Sequence, residues 1–371
     1  MDFQNVLNEL SFLSDLHLVG GCVRDRIIGR DSDDIDLATS DLPKTVIQKS
    51  QNEDLKVVGT GIDFGTVTVF KGGKSFEITT FRRDLDADGR QPNVKFADEI
   101  EVDLERRDFT INALALNQNL NLVDPFDGRG DIKLELIKAV GNPIERFKED
   151  YLRIIRGCRF ASRYDFNIEA KTFKAMNDLS SEVYDSVSIE RFYIELKKAF
   201  KDKKPSRFVR LMEVFGLNQS DNIPLKTLDQ VSPRIRPIVY FLRVRDVNEK
   251  SEELKLPNIV SNEISRIQDL LEFVREKDLS EYNRRLFQFE AQGLLSETKE
   301  IARSLDSISD RRVESFFDPI DFPVNPIVSG TDLLESGYEE GPQIGKLIDK
   351  AHKIQLKEGI TSSSKLLDRV A

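Results

Sequence analysis

Short apolar runs separated by polar turns fill the first third of the chain, and after Pro143 an apolar stripe at three- to four-residue spacing takes over. The runs Leu16 to Val19, Ile35 to Thr39, Lys56 to Val58, Thr66 to Phe70 and Phe76 to Thr80 have the length and the β-branched or aromatic content of strands. Helical patterns follow Arg24 and Pro43. Lys71-Gly72-Gly73-Lys74 reads as a hairpin turn between two of the strands. From Arg82 to Glu105 the pattern breaks into a polar stretch with few core positions, which predicts a long loop. The helical pattern then runs to the end, with breaks near Pro205, Pro224 and Phe322-Pro323-Val324-Asn325-Pro326. The expected architecture is a mixed α/β head on a long helical body, with no internal repeat and no low-complexity segment.

Composition narrows the chemistry. A chain of 371 residues exceeds one ordinary core, so several structural units are expected. No apolar run approaches the ~20 residues of a membrane helix, and the N-terminus lacks the basic and apolar regions of a signal peptide, so a soluble, cytoplasmic protein without membrane partners is expected. Only Cys22 and Cys158 occur, too few for a disulfide framework or a thiolate metal site. With His17 and His352 as the only histidines, a histidine-rich metal cluster is excluded, and the chemistry falls to carboxylates and metal. Residues 1–144 carry a net −9, residues 145–210 a net +5 and the remainder −6. A basic segment beside an acidic head is compatible with an RNA partner; a solvated lysine-rich helix face explains the same excess.

The richest stretch is Gly20-Gly21-Cys22-Val23-Arg24, followed by Asp33-Asp34-Ile35-Asp36-Leu37. As strand, tight turn, helix and second strand it presents backbone N–H groups and Arg24 to a polyphosphate. Asp34 and Asp36, two apart in a β-prone run, share a strand face at roughly 6.5–7 Å. Carboxylates so placed repel unless a cation sits between them, and Mg²⁺ with oxygen ligands is the natural occupant. A bare Asp-x-Asp is also what an acidic solvated loop looks like. Gly73-Lys74-Ser75 mimics the end of a P-loop, but Thr68 stands where the first glycine belongs, and no G-x-G-x-x-G occurs.

Two further segments carry polar groups at helical spacing. Arg106-Arg107-Asp108-Phe109-Thr110-Ile111-Asn112-Ala113-Leu114 reads as a helix start in which Asp108 and Asn112 share a face. That pair suits a ribose 2′-hydroxyl, with Arg107 left for phosphate; alternatively Asp108 is an N-cap. Glu149-Asp150-Tyr151-Leu152-Arg153-Ile154-Ile155-Arg156-Gly157-Cys158-Arg159 sets Asp150 one turn from Arg153, with Arg156 and Arg159 along one side. These arginines form either an ion-paired stripe or a base reader. An aspartate accepting from an exocyclic amino group, with an arginine donating to the adjacent ring nitrogen, admits cytosine and adenine and rejects uracil and guanine.

These motifs together resemble the bacterial-type (class II) tRNA nucleotidyltransferase and poly(A) polymerase family. The likeness rests on Gly20-Gly21 with Arg24, Asp34 and Asp36, Glu77-Ile78-Thr79-Thr80-Phe81-Arg82, Arg106-Arg107-Asp108 with Asn112, Glu149-Asp150 with Arg153, and Glu190-Arg191 with Glu195, in family order over roughly residues 16–200. Ser329-Gly330-Thr331-Asp332-Leu333 and Gly341-Pro342-Gln343-Ile344-Gly345 look like tail elements of the same enzymes. The resemblance implies an α/β head of the polymerase-β nucleotidyltransferase fold over 1–140, followed by an all-α neck over 141–200, body over 201–300 and tail over 301–371. It implies Asp34 and Asp36 as metal ligands, Glu77 as a third carboxylate, and Gly20, Gly21 and Arg24 on the triphosphate. Arg107, Asp108 and Asn112 would meet sugar and phosphates. Asp150 and Arg153 would read the base with Arg156 and Arg159 in support, the neck serving base recognition and the tail tRNA. Glu190, Arg191 and Glu195 would buttress the neck.

The implied reaction is attack of a tRNA 3′-hydroxyl on the α-phosphate of CTP or ATP with release of pyrophosphate, the cofactor being Mg²⁺. Thr60-Gly61-Ile62-Asp63-Phe64-Gly65-Thr66-Val67 looks more like the tRNA enzymes than the poly(A) polymerases, although Asp63 stands where many relatives carry a basic residue or histidine. The Asp88-Gly89-Arg90-Gln91-Pro92 loop favours complete CCA addition or A addition over CC addition alone. No phosphohydrolase domain of His-Asp type is appended. An A-adding enzyme, a poly(A) polymerase and a non-catalytic RNA-binding relative are the alternatives, together with an antibiotic or protein nucleotidyltransferase sharing the head; the oligomeric state stays open.

Overall fold

Seven strands pair into one sheet in the order β3-β4-β5-β2-β1-β8-β9, formed by β1 (His17–Val19), β2 (Asp36–Thr39), β3 (Lys56–Gly61), β4 (Thr66–Lys71), β5 (Lys74–Thr80), β8 (Ala115–Leu116) and β9 (Leu122–Val123). The computed structural model describes residues 2–31, 35–85, 93–217, 225–243 and 258–370, which fall into two units, Met1–Asn218 and Gln219–Ala371. All five strands expected from apolar runs are present. Gly72 and Gly73 both have positive φ, as a two-residue hairpin between β4 and β5 demands. The sheet is antiparallel except where β2 runs parallel to β5, and this crossover pairs Asp36 with Glu77. Helices α1 (Phe3–Glu9), α2 (Gly21–Ile28) and α3 (Pro43–Asn52) complete the N-terminal layer.

The segment expected as a long loop is instead ordered into β6 (Arg82–Leu85), paired antiparallel with β7 (Asn93–Phe96), and α4 (Ile100–Glu105). Residues 86–92, which include the Asp88-to-Pro92 loop, lie outside the described residues. The apolar signal is sparse because few side chains are needed to pin the segment. Phe81, Ile100 and Leu104 bury against Val19, Ala38, Ala113 and Ala115, while the β6–β7 pair is held by its own ladder. The helix expected to start at Arg106 is also corrected: α4 stops at Glu105, and only Thr110–Asn112 forms a 3₁₀ turn. Phe109 bridges Ala139 in extended conformation, Thr110 N donates to Lys138 O and Val140 N to Asp108 O, so strand-like pairing wins over helix there. Phe109, Ile111 and Leu114 are nonetheless fully buried, as their spacing required.

Helices dominate beyond: α5 (Gly128–Lys133), α6 (Pro143–Glu149), α7 (Leu152–Tyr164), α8 (Ala170–Leu179), α9 (Val183–Ser186), α10 (Ile189–Ala199) and α11 (Pro205–Val214). One departure from the all-helical expectation is a two-stranded parallel pair, β10 (Leu136–Ile137) with β11 (Asn167–Ile168). The sheet layer is joined to these helices by buried charge. Asp108 accepts from Phe109 N at 2.8 Å, Asn112 Nδ2 at 2.8 Å and Arg156 Nε at 2.7 Å. Arg156 reaches Glu195 of α10 at 3.4 Å, and Glu195 also accepts from Arg159 Nε at 2.5 Å. Burial alone would raise the Asp108 pKa, but the Arg156 charge and the hydrogen bonds from Asn112, Arg156 and Phe109 bring it down to about 2.

The second unit holds helices and connecting segments, with no strand among its described residues. Phe273, Phe287, Phe316 and Phe317 stack edge-on or tilted at its centre. A smaller apolar group, Val328, Leu333, Ala351, Leu366 and Val370, closes its C-terminal helices. The proline-rich break before them is pinned by Gln355, which donates to Asn325 O at 2.8 Å and to Pro323 O at 2.5 Å, and accepts from Ile327 N at 3.1 Å.

Because the folded-state pKa of Asp108 lies below its unfolded value, its contribution to stability is present above pH ~4 and is lost as pH falls through about 2. Asp108→Asn should cost at least about 2 kcal/mol at pH 7. Urea unfolding followed by circular dichroism should show the gap between wild type and variant narrowing from pH 5 to pH 3.

Candidate active site

Strand β1 delivers the chain to Gly20, whose N–H donates to Leu114 O at 2.9 Å and whose carbonyl accepts from Arg24 N at 3.0 Å. Gly20 has φ +70° and ψ −121°, a conformation closed to residues with a Cβ, and a Cβ built there would fall on Arg107 Nη1. The turn is thus a glycine both by backbone and by neighbour. It starts α2, whose first-turn N–H groups have no intrahelical acceptor and carry the positive end of the helix dipole. Arg24, expected to face phosphate, is buried beneath this turn. Its Nε donates to Asp25 at 2.9 Å, its Nη1 donates to Asn112 Oδ1, and its guanidinium lies over Phe160 and Tyr164 of α7. Its Nη2 stays near Gly21, 3.5 Å from where a Cβ would be.

The carboxylates lie next to the turn because β2 pairs with β1. Cys22 Sγ donates to Val19 O at 3.3 Å and lies 3.9 Å from Asp36 O, which fixes the start of β2 against the first turn of α2. Asp36 and Glu77 are register partners on neighbouring parallel strands, both exposed, while Leu37 and Ile78 beside them are buried. Their side chains rise from the same face about 5 Å apart at the backbone. Two outward carboxylates at that spacing form an all-oxygen donor set suited to a hard divalent cation, so the residues present fit such a metal. Strand β2 begins at Asp36, and Asp34, the other expected ligand, lies outside the described residues.

Asp108 and Asn112 meet as their spacing predicted, but they face inward. Asn112 Oδ1 accepts from Arg24 and its Nδ2 donates to Asp108, and both residues are buried. Arg107 is partly open. It donates to Asp103 at 3.1 Å and to Asn112 O at 3.3 Å, while its buried Nε has no partner. Asp103 anchors both Arg106 and Arg107; burial raises its pKa, and the two arginine charges and their hydrogen bonds overcome that to leave it below the usual carboxylate range. Asp103 carried a legible signal, since it stands three and four residues before the two arginines. Asp25, which takes Arg24 Nε and the Tyr164 hydroxyl, is signalled only by its place after Arg24.

Asp150 and Arg153 lie at the junction of α6 and α7 and do not pair through their side chains. Arg153 is buried and donates to Arg146 O at 2.7 Å, Glu149 Oε2 at 2.5 Å and Arg106 O at 2.9 Å, three of its five N–H donors. Asp150 is partly exposed. It accepts from Leu152 N at 3.1 Å and from Arg191 Nη2 at 2.8 Å. Arg156 and Arg159 point into the buried network with Asp108 and Glu195, and Arg159 also covers the face of Phe160 at 4.1 Å. Glu195 thus ties α10 to α7, while Arg191 meets Asp150 at the surface and Glu190 is exposed.

Residues 16–138 match the family model described as the poly A polymerase head domain, and residues 165–220 match the probable RNA and SrmB-binding site of polymerase A. The CCA-adding enzyme of Pediococcus pentosaceus is 31% identical, with 94% of this chain and 91% of that protein aligned. The CCA-adding enzyme of Streptococcus suis is 46% identical over 184 residues, 49% of this chain and 44% of that one. The structure superposes on the Bacillus stearothermophilus CCA-adding enzyme in complex with CTP with a TM-score of 0.74 and 26% identity, covering 100% of this chain and 98% of that one. The Thermotoga maritima CCA-adding enzyme complexed with tRNA_CCA shares the fold with a TM-score of 0.68 at 23% identity, covering 100% and 95%. The head is therefore of the polymerase-β nucleotidyltransferase fold, and the chain belongs to the CCA-adding enzyme family of tRNA nucleotidyltransferases.

Proposed function

We propose that this protein adds CMP and AMP to the 3′ end of tRNA from CTP and ATP, releasing pyrophosphate. The observation that carries this is the outward Asp36–Glu77 pair beside the Gly20 turn, in a chain that aligns with CCA-adding enzymes along almost its whole length. Complete CCA addition is favoured over addition of A alone by the same full-length likeness. The first-turn N–H groups of α2 and the Arg107 guanidinium offset the charge of the triphosphate. Asp34 and Asp36, with Glu77 beside them, would hold divalent metal, proposed as Mg²⁺, which supplies Lewis acidity to the attacking hydroxyl and the departing pyrophosphate. Asp150 accepts from the amino group of cytosine or adenine, and Arg153, with two N–H donors unspent, donates to the ring nitrogen. Its three contacts hold it still, which lets one donor geometry discriminate. Asp108, Asn112, Arg24, Arg156 and Arg159 act behind this surface by fixing Arg107, α2 and α7.

The helical segments divide the remaining work: the neck reads the base, and the tail over 301–371 binds tRNA. The residues described include no helix long and apolar enough to cross a membrane. A tRNA substrate accords with a cytoplasmic location.

Purified protein with Mg²⁺ should extend tRNA transcripts ending before CCA, after C and after CC to one defined end, resolved on a single-nucleotide gel. Extension of only the CC-ended transcript would identify an A-adding enzyme, and long A tails a poly(A) polymerase. Asp36→Ala should lower kcat at least ~1000-fold in the same assay with unchanged circular dichroism. Gly20→Ala should raise KM for CTP and ATP alike, because it displaces Arg107 and distorts the start of α2. Arg153→Ala should shrink the preference for CTP and ATP over UTP and GTP by about 10- to 100-fold. That ratio is independent of how much of the variant is folded.

A further inference from the structure

Asp150 has one partner that its sequence neighbours do not provide. Arg191, on α10, donates Nη2 to Asp150 Oδ2 at 2.8 Å, across 41 residues of sequence. The two side chains are 49% and 27% exposed, so the pair sits at the surface where the base-reading carboxylate opens outward. We infer that Arg191 is a positioning residue that occupies the Asp150 carboxylate in the empty site and yields it to the amino group of an incoming cytosine or adenine. This rests on the base-reading role proposed above for Asp150.

Three observations support the exchange. First, Arg191 is delivered rigidly. One turn along α10, Glu195 is buried and paired with Arg159 and Arg156 of α7, which fixes the backbone that carries Arg191. Second, the bond itself is labile. An exposed ion pair gains little in high dielectric, in contrast to Arg153, whose guanidinium is buried on two carbonyls and Glu149. Unlike the buried Arg153, Arg191 is free to give up this bond. Third, the replacement is chemically matched. Asp150 Oδ1 already accepts from Leu152 N, so Oδ2 is the oxygen at issue. The amino groups of cytosine and adenine restore to Oδ2 the donor that Arg191 withdraws. Uracil and guanine bring a carbonyl oxygen, which cannot replace a donor, and Arg191 keeps the carboxylate. Arg191 therefore competes for Oδ2 only with cytosine and adenine, whose amino groups must displace it, and leaves uracil and guanine, which do not engage Oδ2, unaffected.

The test is steady-state single-nucleotide addition by the full-length protein with each of the four nucleoside triphosphates. Arg191→Ala and Arg191→Gln, which remove the competing cation, should lower KM for CTP and ATP by about two- to five-fold, with kcat and the KM values for UTP and GTP unchanged. Arg191→Lys should behave as wild type. In an Asp150→Asn background, Arg191→Ala should leave KM unchanged, because there is no carboxylate to release. A rise in KM for CTP and ATP, no change, or an equal shift for all four nucleotides would overturn the inference, and the last is what a merely structural brace would give. If Asp150→Asn alone leaves nucleotide preference intact, the base-reading role itself fails, and if the wild type transfers nothing, the proposed function fails.

Discussion

The buried charge chain Asp108–Arg156–Glu195–Arg159 is the constraint on which the first unit depends. It ties the end of the sheet layer to α7 and α10. None of its members can be removed without leaving an opposite charge in the interior, where an unpaired ion costs several kcal/mol. The chain continues through Asn112 to Arg24 and Asp25, so α2 is bound to the same junction that sets α7. The Gly20 turn and the Asp150 loop, which belong to different layers, are thereby held in one frame. Three of the motif arginines, Arg24, Arg156 and Arg159, serve that frame and not the substrate surface.

What is left outward is correspondingly informative. Asp36 and Glu77 are exposed on one face of the sheet, and the partly exposed Asp150 meets the exposed Arg191 at the end of α6 and the start of α10. Asp36 and Glu77 are register partners on neighbouring strands, and a divalent cation held between them would offset their mutual repulsion. Arg107 stands between the two regimes. Anchored by Asp103, it lies against the only kind of residue that permits its approach, a glycine.

The acidic net charge of the chain is no obstacle to a polyanionic substrate, because phosphate responds to the local field and not to the sum over the chain. The basic excess falls in 145–210, where several arginines lie in the buried network, so the segment's net charge overstates the field it presents. Charge counted along a sequence gives a partner's sign only after burial has removed the pairs.

Strand positions and site chemistry were legible to different depths. The five apolar runs sufficed for β1 to β5, since alternation and Gly72-Gly73 leave each run one way to bury a face, whereas the two-residue strands β8 and β9 are too short to leave a periodic signal. The glycine turn and the helical neck likewise follow from residue type and spacing. The β6–β7 hairpin and α4 did not, because their stability comes from a backbone ladder and a few contacts with Phe81 made at long range. Nor could spacing show that Phe109 would pair as a strand with Ala139 and so turn Asp108 and Asn112 inward. The sequence by itself determined which residues carry charge and which faces must be buried, because period and side-chain chemistry are local properties. Only the tertiary structure decided which arginine meets which carboxylate. Arg153 goes to Glu149 and two carbonyls while Arg191 goes to Asp150, since a surface ion pair across two helices depends on where packing places their ends.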